Sequence, residues 1–436
     1  MIKSIFKEIE KNGGKAYVVG GYVRDMILGQ KSKDVDIEVF NIPPEKLEDI
    51  LKKYGKTSKV GRAYEIYILK GYEFSLPREK NINGKLKINP YISLKEACKR
   101  RDLKMNSMLY DILNDEIIDI YNGERDIKNK MISYVSKENF RLDPLRVLRV
   151  AQFKARFEFE VEEKTEKLCQ ELVLNLKEIS KERIFIELEK ILMKARKPSI
   201  AFRWMEKIGL LEVIFPEIAN LRKIEQGEKY HPEGDVLEHT FLVLDVLELE
   251  ERNIELMIAL LYHDIGKALI KTVKEGNQIH FYGHAEAGSK VIRKYLHRMT
   301  TNKELIKKVE TLVKYHMRPL AMINNITKKA VRRLGAKVDI IELMKMHKAD
   351  MLGKGGEKQK LTHIDKILKI YLEIKDEIKP LIKGSDLIEL GYKPSKEFGN
   401  LLKKIYEAQL DEKFLTKKEG LKYIISNLNQ KIIELN

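Results

Sequence analysis

A Gly-Gly step between an apolar run and an amphipathic one, followed at once by two aspartates at alternate positions, constrains this chain more than any other feature. Ala16-Tyr17-Val18-Val19 reads as a buried strand, and Gly20-Gly21 permits a tight turn that brings backbone N–H groups close to a triphosphate before a helix beginning near Tyr22. Arg24 adds a cation on that helix. Asp34 and Asp36 follow on a second strand, where the i, i+2 spacing puts both side chains on one face and two hard oxygen ligands can share Mg²⁺. Two such carboxylates can hold two ions about 3.5–4 Å apart, one lowering the pKa of an attacking hydroxyl and the other neutralising a leaving pyrophosphate. A lone Gly-Gly or a lone Asp-x-Asp has an ordinary structural reading. Their adjacency, with Arg24-Asp25 between them, points to nucleotidyl transfer instead.

The segment resembles the head of the class II tRNA nucleotidyltransferase and bacterial poly(A) polymerase family, whose Gly-Gly-x-Val-Arg-Asp and Asp-x-Asp motifs are matched from Gly20 to Asp36. The resemblance implies an α+β chain: an N-terminal α/β, polymerase β-like head with an antiparallel or mixed sheet, followed by all-α neck, HD and tail helices. The family's second motif, Arg-Arg-Asp and then Asn, is met by Arg100-Arg101-Asp102 and Asn106. Here Arg101 is expected to bind triphosphate or ribose, while Asp102 and Asn106, at i and i+4 on one helix face, hydrogen-bond sugar hydroxyls or brace the arginine. Asp119, Gly123 and Asp126 match a third motif, read as a hinge between head and neck.

Asp143, Arg146 and Arg149, spaced by three, are expected to form one ladder on a helix and to choose the nucleotide. An aspartate accepts a hydrogen bond from an exocyclic amino group and an arginine donates to a ring nitrogen, the edge that cytosine and adenine present. Uracil and guanine place a carbonyl against the carboxylate, at a cost of about 1–3 kcal/mol or more. Asp143 before Pro144 also has the look of a helix cap. The family usually has glutamate before this aspartate; here Leu142 stands there, which would soften selectivity if that glutamate orients an arginine. Glu182, Arg183, Glu187 and Lys190 resemble a fifth motif, with Glu182 and Arg183 read as bracing the neck.

A separate constellation follows. His239, the doublet His263-Asp264 and Asp350 match the HD phosphohydrolase pattern on expected helices, where two imidazoles and two carboxylates can converge on one divalent ion of unspecified identity. His284 and His316 resemble the extra histidines of some HD sites and could hold a second metal or a substrate phosphate. His231-Pro232-Glu233 before this module and Gly384-Ser385-Asp386 after it are similar to the HD-containing bacterial subgroup, so the resemblance runs essentially the full length.

Composition agrees. Lys+Arg 83 against Asp+Glu 66 gives +17, suited to a polyanionic partner. Two cysteines, Cys98 and Cys169, exclude a disulfide framework and a zinc knuckle. With no apolar run at Met1-Ile2-Lys3-Ser4 and none long enough to span a bilayer, a cytoplasmic, soluble protein is expected. The expected segments are a nucleotidyltransferase head (1–138), a helical neck and RNA-binding region (139–225), an HD phosphohydrolase-like domain (226–365) and a basic helical tail (366–436). The expected activity is template-independent addition of C and A to tRNA 3′ ends from CTP and ATP. Poly(A) polymerisation and partial CCA addition are the alternatives within the class; Ala63-Tyr64 after Gly61-Arg62, lacking the Arg-Phe of the poly(A) branch, favours CCA. From another class, the head would be a degenerate RNA-binding module beside an active HD site, which the intact Asp34 and Asp36 disfavour.

Overall fold

The computed structural model describes residues 1–31, 34–60, 65–80, 86–226, 234–270, 273–275, 278–354 and 361–427. Gly61–Tyr64 and His231–Glu233, on which two of the sequence readings bear, lie outside the described residues. Contacts divide the chain into two compact units, Met1–Ile191 with Ile200–Ile214, and Leu192–Ser199 with Phe215–Asn436. The first gathers the expected head with most of the neck, and the second gathers the HD segment with the tail.

The first unit is built on a mixed sheet whose early strands are β1 (Lys15–Val19), β2 (Val35–Phe40), β3 (Ser58–Val60), β4 (Ile66–Leu69) and β5 (Tyr72–Ser75). A hairpin of β6 (Arg78–Lys80) and β7 (Leu86–Ile88) stands apart, and β8 (Leu109–Asp111) and β9 (Glu116–Ile118) complete the sheet in the order β3-β4-β5-β2-β1-β8-β9. From Ala16 onward β1 is buried on both faces, so it is central. β2 alternates instead: Ile37 and Val39 are fully buried, while Asp36 and Glu38 point the other way. The antiparallel register Val19↔Asp36 brings the Gly20-Gly21 turn to the end of β2 that carries the aspartates. One face of the sheet holds Tyr17, Val19, Phe40 and Leu109 against Ala97 and Cys98 of the helix Leu94–Lys99.

Two expectations about local structure fail here. Asp102 and Asn106 do not share a helix: Leu94–Lys99 ends before them, Leu103 pairs with Tyr134, and a 3-10 turn spans Lys104–Asn106. The backbone is claimed by the 133–135 segment, with Lys104 N donating to Ser133 O at 2.9 Å and Val135 N to Asp102 O at 3.2 Å. Asp143 likewise lies outside the helix, which runs Arg146–Phe157, because the residue before a proline is pushed out of the helical region. Only Arg146 and Arg149 share the expected helix face. The third motif is a braced turn: Asp119 accepts from Gly123 N (2.8 Å) and Glu124 N (2.9 Å), and a Cβ on Gly123 would fall 2.3 Å from Lys104 O.

In the second unit the helix Ile254–Tyr262 is buried on every side from Leu256 to Tyr262, so it forms the centre. Val236–Leu244, Lys303–Tyr315 and Ile340–Gly353 pack on it, and His284–Leu296 packs on Lys303–Tyr315. The tail has its own small core of Ile382, Leu387, Ile405, Phe414 and Ile424. Among the described residues no helix is long and apolar enough to cross a membrane.

Candidate active site and candidate metal centre

Gly20 adopts φ +70°, a conformation side chains disfavour, and this turns the chain from β1 into the helix Gly21–Ile27. The turn opens on a cavity of about 420 Å³. Gly20, Gly21, Arg24 and Asp36 line one side, and Arg101, Asp102 and Asn106 come from the turn after Lys99. Asp143, Arg146 and Arg149 complete the wall. The sequence-selected head residues thus meet in one place, except Asp34, which stands exposed just before β2.

Several of these side chains hold one another. The Arg24 guanidinium is buried, donates to Asp25 Oδ1 (2.6 and 2.8 Å) and Asn106 Oδ1 (2.7 Å), and lies over the rings of Phe153 and Phe157. Held in this way it braces the turn, and it lines the cavity alongside Arg101. Arg101 pairs with Glu38 at 3.0 Å and its Nη1 lies 3.9 Å from where a Gly20 Cβ would be. Asp102 is the centre of the network, accepting from Leu103 N (2.8 Å), Asn106 Nδ2 (3.2 Å) and Arg149 Nε (2.5 Å). Burial pushes its pKa up, but Arg149 and the Asn106 amide more than offset this and bring it down to about 2. Arg146 donates to the carbonyls of Arg100 (2.8 Å), Asn139 (2.9 Å) and Arg101 (3.5 Å). At Asp36 burial raises the pKa, Arg101 opposes it and Asp34 adds to it. Asp36 on the cavity wall and Asp34 two residues before it offer hard oxygen donors of the kind a divalent cation takes.

The HD residues also converge, all of them buried. His239 Nε2 lies 3.0 Å from Asp350 Oδ1 and 3.3 Å from His263 Nε2, and His263 Nε2 lies 3.2 Å from Asp264 Oδ2. Asp264 Oδ1 meets His284 Nε2 at 3.3 Å, and His284 Nε2 meets His316 Nε2 at 3.1 Å. His239, His263 and Asp264 form one potential ligand triad and Asp264, His284 and His316 another, so Asp264 bridges them. His284 Nδ1 donates to Phe281 O (2.8 Å) and His316 Nδ1 to Val313 O (2.7 Å), which turns both Nε2 atoms toward Asp264. Burial, then His284 and His263, lower the His316 pKa to about 3, so this imidazole is neutral and its Nε2 is free to act as a ligand. Imidazole nitrogens gathered on one carboxylate are a donor set that fits a divalent cation. Of the remaining histidines, His347 and His363 bond each other at 2.8 Å and His280 stacks on Tyr282.

Residues 16–133 match the poly(A) polymerase head domain, 158–221 a probable RNA- and SrmB-binding site of polymerase A, and 236–355 the HD domain. The Multifunctional CCA protein of Pasteurella multocida is 34% identical over 320 residues, 69% of this chain and 74% of that one. The chain belongs to the multifunctional CCA protein family. It is a nucleotidyltransferase, and both its head and its HD domain are of kinds that use divalent metals. A family member from Actinobacillus pleuropneumoniae is 33% identical over 317 residues, again 69% and 74% of the two chains. The fold of the present chain is that of the Bacillus stearothermophilus CCA-adding enzyme in complex with CTP, with TM-score 0.70, 20% identity and coverage of 99% and 98% of the two chains. The Thermotoga maritima CCA-adding enzyme complexed with tRNA is also similar, at TM-score 0.59, 23% identity and coverage of 98% and 94%.

Sequence reasoning missed the site's supporting charges. Glu38 continues the Asp34–Asp36 face and holds Arg101. Arg183, read as a neck brace, reaches Asp143 at 2.7 Å, and Glu187 lines the same cavity. The i, i+2, i+4 run of acids leading into β2 was a readable signal for Glu38; the others come from a distant helix.

Proposed function

We propose that this chain adds C and A to the 3′ end of tRNA from CTP and ATP, without a nucleic-acid template. The observation that carries the reading is the single cavity in which the Gly20-Gly21 turn, Asp36 and the Asp143, Arg146 and Arg149 group meet. Asp34 and Asp36 would hold Mg²⁺, which when bound lowers the pKa of the primer hydroxyl and neutralises departing pyrophosphate. Arg101 and the amides of the turn receive the triphosphate. Arg24 and Asn106 keep that turn in place, and Asp102 fixes Arg149. Asp143 accepts the exocyclic amino hydrogen of cytosine or adenine, and Arg146 donates to the ring nitrogen beside it. Asp36 and Arg101 also border a second cavity of about 360 Å³, lined by Glu38, Glu73, Ser75 and Arg78, which suits the approach of the acceptor strand's end. The relatives' names and the +17 charge support tRNA as the partner, and such a substrate makes the cytoplasm the place of work. Incubation with tRNA transcripts ending before CCA, after C and after CC, each with one labelled nucleotide at a time, tests this. Ordered C, C and A incorporation is expected; unlimited A addition would favour a poly(A) polymerase.

A second chemistry is proposed at the HD centre, where His239, His263, Asp264 and Asp350, with His284 and His316, hold divalent metal for phosphoester hydrolysis. His263→Ala and Asp264→Ala are expected to eliminate metal-dependent phosphatase or phosphodiesterase activity and to leave nucleotide incorporation within a few-fold of normal. Loss of incorporation in such a variant, still folded by circular dichroism, would show that the two chemistries are not separate.

A further inference from the structure

We infer that the helix Lys181–Lys194 is the second half of the base-reading device, with Arg183 aiming the carboxylate of Asp143 and Glu187, one turn further on, aiming the guanidinium of Arg149. The inference rests on the reading of Asp143, Arg146 and Arg149 as the groups that meet the base. Arg183 and Glu187 are four residues apart and so share a helix face, and both line the cavity of the Gly20-Gly21 turn.

Arg183 Nη2 donates to Asp143 Oδ2 at 2.7 Å, while the other oxygen, Oδ1, accepts from Leu145 N at 3.3 Å. A carboxylate accepts in about four directions, so each oxygen keeps capacity for an amino group. Asp143 sits outside the helix on a turn, and apart from Leu145 N it is Arg183 that sets the direction of its side chain. The arginine is 47% exposed and the aspartate 33%, and so exposed a pair contributes little to stability. Its consequence is aim rather than stability.

Glu187 is the counterpart. Its side chain is only 4% exposed, its Oε1 accepts from Lys190 at 2.8 Å and lies 3.9 Å from Arg149 Nη1, and among the described residues its buried Oε2 has no hydrogen-bond partner. A buried acceptor left in that state is destabilising, and a donor in the cavity would recover the loss. Arg149 is the next cation to it after Lys190 and is already drawn to Asp102 on its other side, so the guanidinium is held between two carboxylates. Leu142, where the family usually has glutamate, is 53% exposed and cannot orient an arginine. Arg183 and Glu187 bring to the cavity the charges that Leu142 lacks.

Arg183 and Glu187 are therefore positioning residues, and their removal should change the choice of nucleotide, which a purely structural role would not. The test is single-turnover incorporation of all four nucleotides onto tRNA by the full chain carrying Arg183→Met, Arg183→Lys, Glu187→Gln or Asp143→Ala. Arg183→Met is expected to lower the preference for CTP and ATP over UTP and GTP roughly 10-fold or more, the scale on which supporting partners of site residues act. Arg183→Lys should recover part of that preference, and Glu187→Gln, which keeps the buried shape, should lower it less. If Arg183→Met and Glu187→Gln leave the preference at the wild-type value, or slow all four nucleotides by one common factor, while Asp143→Ala destroys it, the inference is overturned and the base reading stands. If Asp143→Ala also keeps the preference, the base reading itself fails and the inference falls with it.

Discussion

Alanine at both Asp34 and Asp36 is expected to reduce nucleotide incorporation by roughly 10³-fold or more, since a metal contributes several kcal/mol of transition-state stabilisation and each 1.36 kcal/mol is tenfold in rate. The sheet itself should survive. Asp34 is exposed, Asp36 points away from the buried Ile37 and Val39, and the pairing Val19↔Asp36 uses backbone groups only. Removing the two carboxylates relieves the repulsion of Asp34 on Asp36 but also gives up the larger attraction of Asp36 to Arg101. The melting temperature should therefore change little, and tRNA affinity should be unchanged because the basic residues that neutralise phosphates are untouched. Rapid-quench incorporation of CTP onto a tRNA ending before CCA, with filter binding of the same tRNA, checks both halves. Incorporation within tenfold of wild type in the double variant would sink the proposed active site.

What could be read from the sequence was whatever is local to one or two elements. The Gly20-Gly21 turn and the Asp34–Asp36 face depend on neighbours within a strand or a turn, so period and spacing describe them. Leu103 shows where that fails: it lies between Asp102 and Asn106, and its bridge to Tyr134 draws the backbone out of the helix that an i, i+4 spacing suggests. The chemistry nevertheless survives the wrong geometry, because the 3-10 turn still brings Asn106 Nδ2 to 3.2 Å from Asp102 Oδ1. The partners of Asp143 and Arg149 were hidden for another reason. Arg183 lies forty residues from Asp143 in the chain, and on its own helix nothing distinguishes it from a solvated arginine. The histidine cluster was legible as residue types, but the turning of the His284 and His316 Nε2 atoms toward Asp264 depends on which carbonyl each Nδ1 reaches, a matter of packing.

Gly266→Ala should be the most damaging single methyl group in the second unit. A Cβ there would lie 1.9 Å from His284 O and 2.7 Å from Gly288 N, both backbone atoms that cannot swing aside. The glycine lets the turn Ile265–Ala268 press directly on the start of the helix His284–Leu296, and that approach sets the 3.3 Å separation of Asp264 Oδ1 from His284 Nε2. Forcing the two backbones apart is expected to cost about 3 kcal/mol, at the upper end of ordinary overpacking, and to pull His284 and His316 away from the shared Asp264. Gly288→Ala offers the control: its Cβ meets Gly266 N at 3.2 Å, a contact that a small shift relieves, so its cost should be far less. Calorimetric titration of the metal-stripped full chain with Mn²⁺, alongside thermal melts, separates the outcomes. Gly266→Ala should melt lower and lose affinity at the Asp264, His284 and His316 triad while the His239, His263 and Asp264 triad weakens less. An unchanged melting temperature with wild-type Mn²⁺ stoichiometry would mean that the close approach of these backbones is not what assembles the centre.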